Sequence, residues 1–87
     1  MTFRGAKITG RGVRCGVAVV QSDAVTDNVE ADRLITALQN QVFHSTPVVL
    51  MAQDPQFGPV YYGRADLVRY LERVDVTKIP WAEYTLR

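Results

Sequence analysis

Residues 47–62, PVVLMAQDPQFGPVYY, contain the pattern that decides the fold. The run VVLMA at 48–52 is apolar at every position, which is typical of a strand covered on at least one face by other elements. The following DPQFG is rich in turn residues. The VYY that comes next is β-branched and aromatic, which favours a strand. The stretch therefore predicts a β-hairpin.

A strand is also predicted upstream of this hairpin. Residues 13, 15, 17 and 19 are Val, Cys, Val and Val, an alternating pattern that predicts a strand over 12–21. Residues 6–9 either extend this strand or form a short partner to it, because Gly10 and Gly12 can supply a bulge or a turn.

A helix is predicted between this strand and the hairpin. Asp27 stands three residues before Glu30, a spacing that resembles a capping box at a helix start. The helix is predicted over 27–43, and its apolar stripe has helical spacing. The stripe consists of Ala31, Leu34, Ile35, Leu38 and Val42.

A second helix over 64–74 and a final strand follow the hairpin. The helix has one apolar stripe, made of Leu67, Val68, Leu71 and Val74, and the strand WAEYTLR begins near Trp81. The element order is β-α-β-β-α-β. This order predicts a single α+β domain over residues 1–87, with a ferredoxin-like split βαβ sheet of four strands and both helices on one face.

Two segments resemble the last hairpin and helix of glutaredoxins. They are STPVVLM at 45–51 and VYYGRADLVRYLERV at 60–74, with Thr46–Pro47 at the place of the glutaredoxin cis-proline. The resemblance implies a thioredoxin-like fold as the alternative. Redox chemistry is not expected, because Cys15 lies inside a strand pattern and not at the helix N-terminus that lowers a thiol pKa.

Three segments resemble uncharacterised small bacterial proteins, including proteins of the mobile (integron) gene-cassette type. The segments are PVVLMAQD at 47–54, VYYGRADLVRYL at 60–71 and IPWAEYTL at 79–86. This resemblance implies no biochemical activity.

The composition predicts a cytoplasmic protein that has no membrane partner. The single cysteine cannot form an intrachain disulfide, which is typical of a reducing compartment. The N-terminus has no apolar run of signal-peptide length, and the longest apolar run, 47–52, is too short to cross a bilayer.

The net charge of +1 hides an uneven distribution. Residues 1–14 contain four basic residues and no acid, whereas the rest of the chain has six basic residues against nine acids. Nucleic-acid binding through the basic N-terminal segment is therefore one alternative function. An ordinary solvated strand explains the same charges more simply, so nucleic acid is not the expected partner.

No cofactor or metal site is predicted, and no catalytic residue is assigned. The acidic residues at 23–32 lack the EF-hand spacing, and the glycines at 10, 12 and 16 match neither GxGxxG nor the Walker motif. His44, the one histidine, fits a role in binding the last carbonyls of the first helix. A small enzyme that uses His44 at a subunit boundary is a second alternative.

The candidate ligand or interface residues are aromatic or basic side chains in the second half of the chain, together with the histidine. They are Tyr61, Tyr62, Arg64, Trp81, Tyr84 and His44. Aromatic residues and arginine are common at interfaces and pockets. The preferred function is a non-catalytic, self-associating interaction protein or a binder of a small-molecule ligand. A homodimer or larger oligomer is expected, with a second copy covering the open face of the sheet near Trp81 and Tyr84.

Overall fold

A computed structural model describes residues 2–10, 12–44 and 46–86 and places five strands of this part of the chain in one mixed sheet. The sheet order is β4-β3-β2-β1-β5. The strands are β1 (Thr2–Gly10), β2 (Val13–Val19), β3 (Val48–Asp54), β4 (Gly58–Tyr62) and β5 (Ala82–Thr85). The helices are α1 (Ser22–Thr26), α2 (Asn28–Gln41) and α3 (Ala65–Glu72), and a 3-10 turn, Val76–Lys78, precedes β5.

The N-terminal residues form a strand of their own. β1 pairs with β2 in an antiparallel hairpin from Gly5 opposite Ala18 to Gly10 opposite Val13. Gly12 has a φ of 78° in the connecting turn, a backbone conformation that glycine adopts at little cost. Residues 6–9 therefore form a partner strand to β2 and do not extend it, which is the second of the two predicted possibilities. The other edge of β1 pairs with β5, so the strand that contains Arg4 and Lys7 lies inside the sheet.

The hairpin predicted from residues 47–62 is confirmed. β3 and β4 are antiparallel, with Leu50 opposite Tyr62 and Asp54 opposite Gly58. β2 and β3 run parallel and pair directly, from Gly16 opposite Val48 to Val19 opposite Met51. α1 and α2 form the crossover between these two strands.

Asp27 caps the N-terminus of α2, as the sequence predicts. One carboxylate oxygen of Asp27 accepts hydrogen bonds from the backbone N–H of Val29 at 3.0 Å and of Glu30 at 3.2 Å. These bonds satisfy two of the N–H groups that have no partner inside the helix. In the described residues no helix is long and apolar enough to cross a membrane.

The two longer helices lie on opposite faces of the sheet. Side chains of β2 alternate between the faces, so Cys15 and Val17 belong to the α3-side cluster and Ala18 to the α2-side cluster. The α3-side cluster also contains Leu67, Leu71, Val49 and Met51. The α2-side cluster also contains Ala31, Leu38, Val48 and Leu50.

This arrangement confirms the α+β class and corrects the predicted topology. A ferredoxin-like split βαβ sheet has both helices on one face and a strand between its parallel strands. Here the parallel strands β2 and β3 are neighbours, and each face has its own helix. The physical reason is that residues 48–52 are all buried, so both faces of β3 need a cover. The expectation that a second copy covers an open sheet face is wrong for these strands.

Gly16 and the Phe43 ring lie in close contact on the α2 side of the sheet. A Cβ atom at residue 16 would lie 2.6 Å from the Phe43 ring, so only glycine permits this contact. Phe43 follows the end of α2 and is 1% exposed. The chain after α2 therefore folds directly over β2 before it enters β3.

The Leu71→Ala variant tests the packing of α3. Leu71 is 0% exposed in the α3-side cluster, so truncation leaves a cavity and should lower the free energy of unfolding by about 2–5 kcal/mol. Urea denaturation measures the change. Arg69→Ala is the matched control, because Arg69 is an exposed residue of the same helix. Equal stability of the two variants would contradict this assignment of the buried face.

Candidate functional site

The predicted set of aromatic residues does not form one site, because adjacent residues of β4 point to opposite faces. Tyr61 packs against the α3-side cluster, whereas Tyr62 packs against the α2-side cluster. Burial raises the pKa of Tyr61, and the nearby carboxylate of Glu72 raises it further.

Trp81 and Tyr84 are divided in the same way, and both complete the clusters of the protein's own core. Trp81 packs on the α3 side and donates its indole N–H to the carbonyl of Val76 at 2.9 Å. Tyr84 packs on the α2 side, where its ring stacks on Phe3 with centroids 5.6 Å apart and contacts Phe43 at 5.4 Å. Both side chains are partly buried, so most of each aromatic surface is already packed within the chain.

Tyr62 and Arg64 line a groove of about 280 Å³ between α2 and the end of β4. Asp32 and Gln39 line the α2 side of this groove. The Tyr62 hydroxyl donates a hydrogen bond to a carboxylate oxygen of Asp32 at 2.9 Å. This bond links the helix to the edge strand.

Charges in this groove are already partnered. The Arg64 guanidinium donates two hydrogen bonds to the Asp66 carboxylate, at 3.2 and 2.9 Å. The bonds from Arg64 hold the pKa of Asp66 below its ordinary value. The hydrogen bond to Asp32 raises the pKa of Tyr62, since loss of the phenol proton would leave two anions side by side. The groove therefore has no free cation for an anionic ligand within its described lining.

His44 is exposed and has a φ of 48° just after α2. Within the described residues its side chain makes no hydrogen bond or ion pair. An enzyme built on His44 requires a carboxylate or another polar group that orients the imidazole. No such arrangement occurs in the part of the chain that the structure describes.

The basic residues of β1 and β2 are spread over both faces of the sheet. In β1, Arg4 shares the face of the buried Ala6 and Ile8, whereas Lys7 lies on the other face, because strand side chains alternate. Arg14 lies on the same face as Lys7, since it pairs with Thr9. This division favours a solvated strand over a nucleic-acid surface, which needs its cations on one side.

Cys15 lies in the middle of β2 and is 0% exposed. Burial raises the pKa of its thiol, so the reactive thiolate is disfavoured. The Thr46–Pro47 peptide is trans. The raised thiol pKa and the trans peptide both differ from the glutaredoxin pattern that the two segments resemble.

Two surface features were not predicted from the sequence. The first, which we call the β4 patch, consists of the exposed hydrophobic residues Val29, Phe57 and Val60, with exposed fractions of 60%, 78% and 37%. The second, the β1–α1 pocket, is a cavity of about 500 Å³ at the end of β2. Val29 lies outside the apolar stripe of its helix, which was the one available signal for the patch.

Comparisons of the chain with protein-family models, curated proteins and solved structures found no match. Among the described residues no group of three or more His, Cys, Asp or Glu side chains could hold a metal ion.

The thiol of Cys15 should react slowly in the folded protein. A thiol reagent at neutral pH should label native protein far more slowly than unfolded protein, because the side chain is enclosed and its pKa is raised. Absorbance of the released reagent group measures both rates. Equal rates would contradict the buried position.

The same raised pKa makes stability fall in alkali. As the pH rises above the ordinary thiol pKa of 9.0, the unfolded chain loses the Cys15 proton while the folded chain keeps it. The free energy of unfolding should therefore fall more steeply above this pH than in a Cys15→Ala variant. Identical slopes would show that burial does not shift this thiol.

Asp32→Asn should lower the pKa of Tyr62 towards its ordinary value of 10.0, since the carboxylate charge that opposes ionisation is removed. Tyrosinate absorbance measures the titration, and Tyr62→Phe identifies its contribution. Asp66→Asn is the control, because Asp66 bonds to Arg64 and not to Tyr62. An unchanged titration in Asp32→Asn would contradict the hydrogen bond.

Proposed function

We propose that this chain is a non-catalytic interaction protein that forms a homodimer through the β4 patch. The observation that carries the proposal is the placement of Val29, Phe57 and Val60. These are the large hydrophobic side chains that the described part of the chain leaves exposed. Phe57 and Val60 lie at the β4 edge of the sheet, and Val29 lies in the first turn of α2.

The register of the sheet supports this placement. Val60 pairs with Ala52 and is two residues from Tyr62, so its side chain lies on the α2 side of the edge strand. Asp32 binds Tyr62, and Val29 is one helical turn before Asp32, towards the beginning of β4. Phe57 immediately precedes β4. Phe57 and Val60 therefore lie at the first half of this edge, and Val29 lies on the helix that Tyr62 binds.

A second copy is the occupant that fits the size of the chain. On folding, a chain of 87 residues buries on the order of 60–65% of the surface that its unfolded form exposes, which is a smaller share than in a large domain. It therefore gains more from association than a large domain does. A two-fold dimer brings the same patch together from both copies, so each exposed side chain finds an apolar partner. Large exposed apolar side chains at one place are typical of interaction surfaces.

Side chains, and not a continuous backbone ladder, would form this contact. Pro59 lies within β4 and has no N–H, which weakens strand addition along this edge. The opposite edge strand, β5, is four residues long and has Glu83 in its second position, so it is also poorly suited to pairing. The aromatic residues Trp81 and Tyr84 remain in the core of each copy.

Sedimentation equilibrium at micromolar concentration tests the proposal. We expect a mass of twice the 9.7 kDa chain for the wild type and a mass near 9.7 kDa for Phe57→Ser with Val60→Thr. The variant removes apolar contact area without burying a charge, so it should remain folded. Circular dichroism confirms this.

Glu83→Lys is the matched control, because it changes an exposed side chain at the other edge of the sheet. This variant should remain a dimer. A monomeric wild type, or a dimer that persists in the Phe57 and Val60 variant, would overturn the proposal. Loss of the dimer in Glu83→Lys alone would assign the contact to β5 instead.

A further inference from the structure

The β1–α1 pocket lies on the α2 side of the sheet, between the beginning of β1 and the short helix α1. Its volume of about 500 Å³ falls within the range of small-molecule sites. The pocket lies at the end of β2, and none of its described lining residues belongs to the β4 patch. The two features are therefore separate, and the pocket does not depend on the dimer.

The inner wall of the pocket is apolar. It is formed by Phe3 of β1, Val20 just after β2, Ala24 of α1 and Leu34 of α2. Val19 also lines the pocket at the end of β2, although its side chain packs against the α3-side cluster. Phe3 is a buried member of the α2-side cluster, and Val20 and Leu34 pack against that cluster. The packing holds these walls in place, so a ligand would meet a preformed apolar surface.

The rim of the pocket is polar and has unused hydrogen-bonding groups. Thr2, Gln21 and Asp23 line it. Within the described residues, none of these three side chains makes a hydrogen bond to another protein group. Asp23 is the charged residue among the described lining residues, and its carboxylate is negative at neutral pH.

We infer that the β1–α1 pocket binds a small cationic amphiphile, a molecule with a compact apolar body and one ammonium group. The apolar body would lie against Phe3, Val20 and Leu34, where its burial removes apolar area from water. The ammonium group would lie at the rim and donate hydrogen bonds to the Asp23 carboxylate and the Gln21 carbonyl oxygen. A carboxylate in place of the ammonium group would be repelled by Asp23.

Titration of the full chain with three matched naphthalene probes tests the inference. The probes are 1-naphthylmethylamine, 1-naphthalenemethanol and 1-naphthaleneacetate, which share one ring system and differ in charge. Backbone amide chemical shifts report both the affinity and the place of binding. We expect the amine to shift the amides of Val20, Ala24 and Leu34 and to bind roughly threefold to fivefold more tightly than the alcohol, with the acetate weakest.

The Asp23→Asn variant separates the role of the charge from that of the apolar wall. In this variant the amine should bind no more tightly than the alcohol, while binding of the alcohol stays unchanged. Glu72→Gln is the control, because it removes an exposed acid on α3, on the opposite face of the sheet. It should leave the preference for the amine intact.

Each other outcome overturns the inference in a recognisable way. If no probe shifts amides around the pocket, the site is wrong. If the amine and the acetate bind equally, or if Asp23→Asn keeps the preference, the ligand class is wrong. Shifts confined to residues near the β4 patch would show that the probes bind there instead. None of these results bears on the oligomeric state, which sedimentation measures separately.

Discussion

The need to cover both faces of β2 and β3 is the constraint on which the rest of this structure depends. Residues 48–52 are apolar at every position, and strand geometry sends alternate side chains to opposite faces. One helix therefore has to lie on each side, and α2 and α3 do so. In a chain of this length, the helical residues that remain are too few to cover the outer strands as well.

The aromatic side chains compensate for this shortage. Phe3, Phe43 and Tyr84 form a three-ring cluster on the α2 side, and Trp81 closes the α3 side through its bond to the Val76 carbonyl. Large rings cover much area for each residue used, so they suit a small domain. Trp81 and Tyr84, which the sequence predicts as ligand or interface residues, therefore stabilise the fold by packing against the core clusters. Because these rings pack within their own chain, they no longer support a contact between copies through the final strand.

The two longer helices leave parts of the molecule uncovered. Edge strand β4 is tied to α2 near its end by Tyr62 and Asp32, but its first half retains exposed apolar side chains. The β1–α1 pocket arises where α1 is too short to fill the space beside β1. We propose the first surface as the contact with a second copy and the second, which has the volume of a small-molecule site, as a ligand pocket. Both follow from the same shortage of covering elements.

Local patterns in the sequence determined the elements and most of the core. The Asp27 cap, the hairpin from residues 47–62, the buried Leu71 and the buried Cys15 all depend on neighbours within a few positions. Tertiary structure alone decided which face each helix covers, that β1 and β3 flank β2, and that Tyr61 and Tyr62 belong to different clusters. The physical reason is that hydrophobic periodicity tells which side of a strand or helix is buried, but not which element buries it.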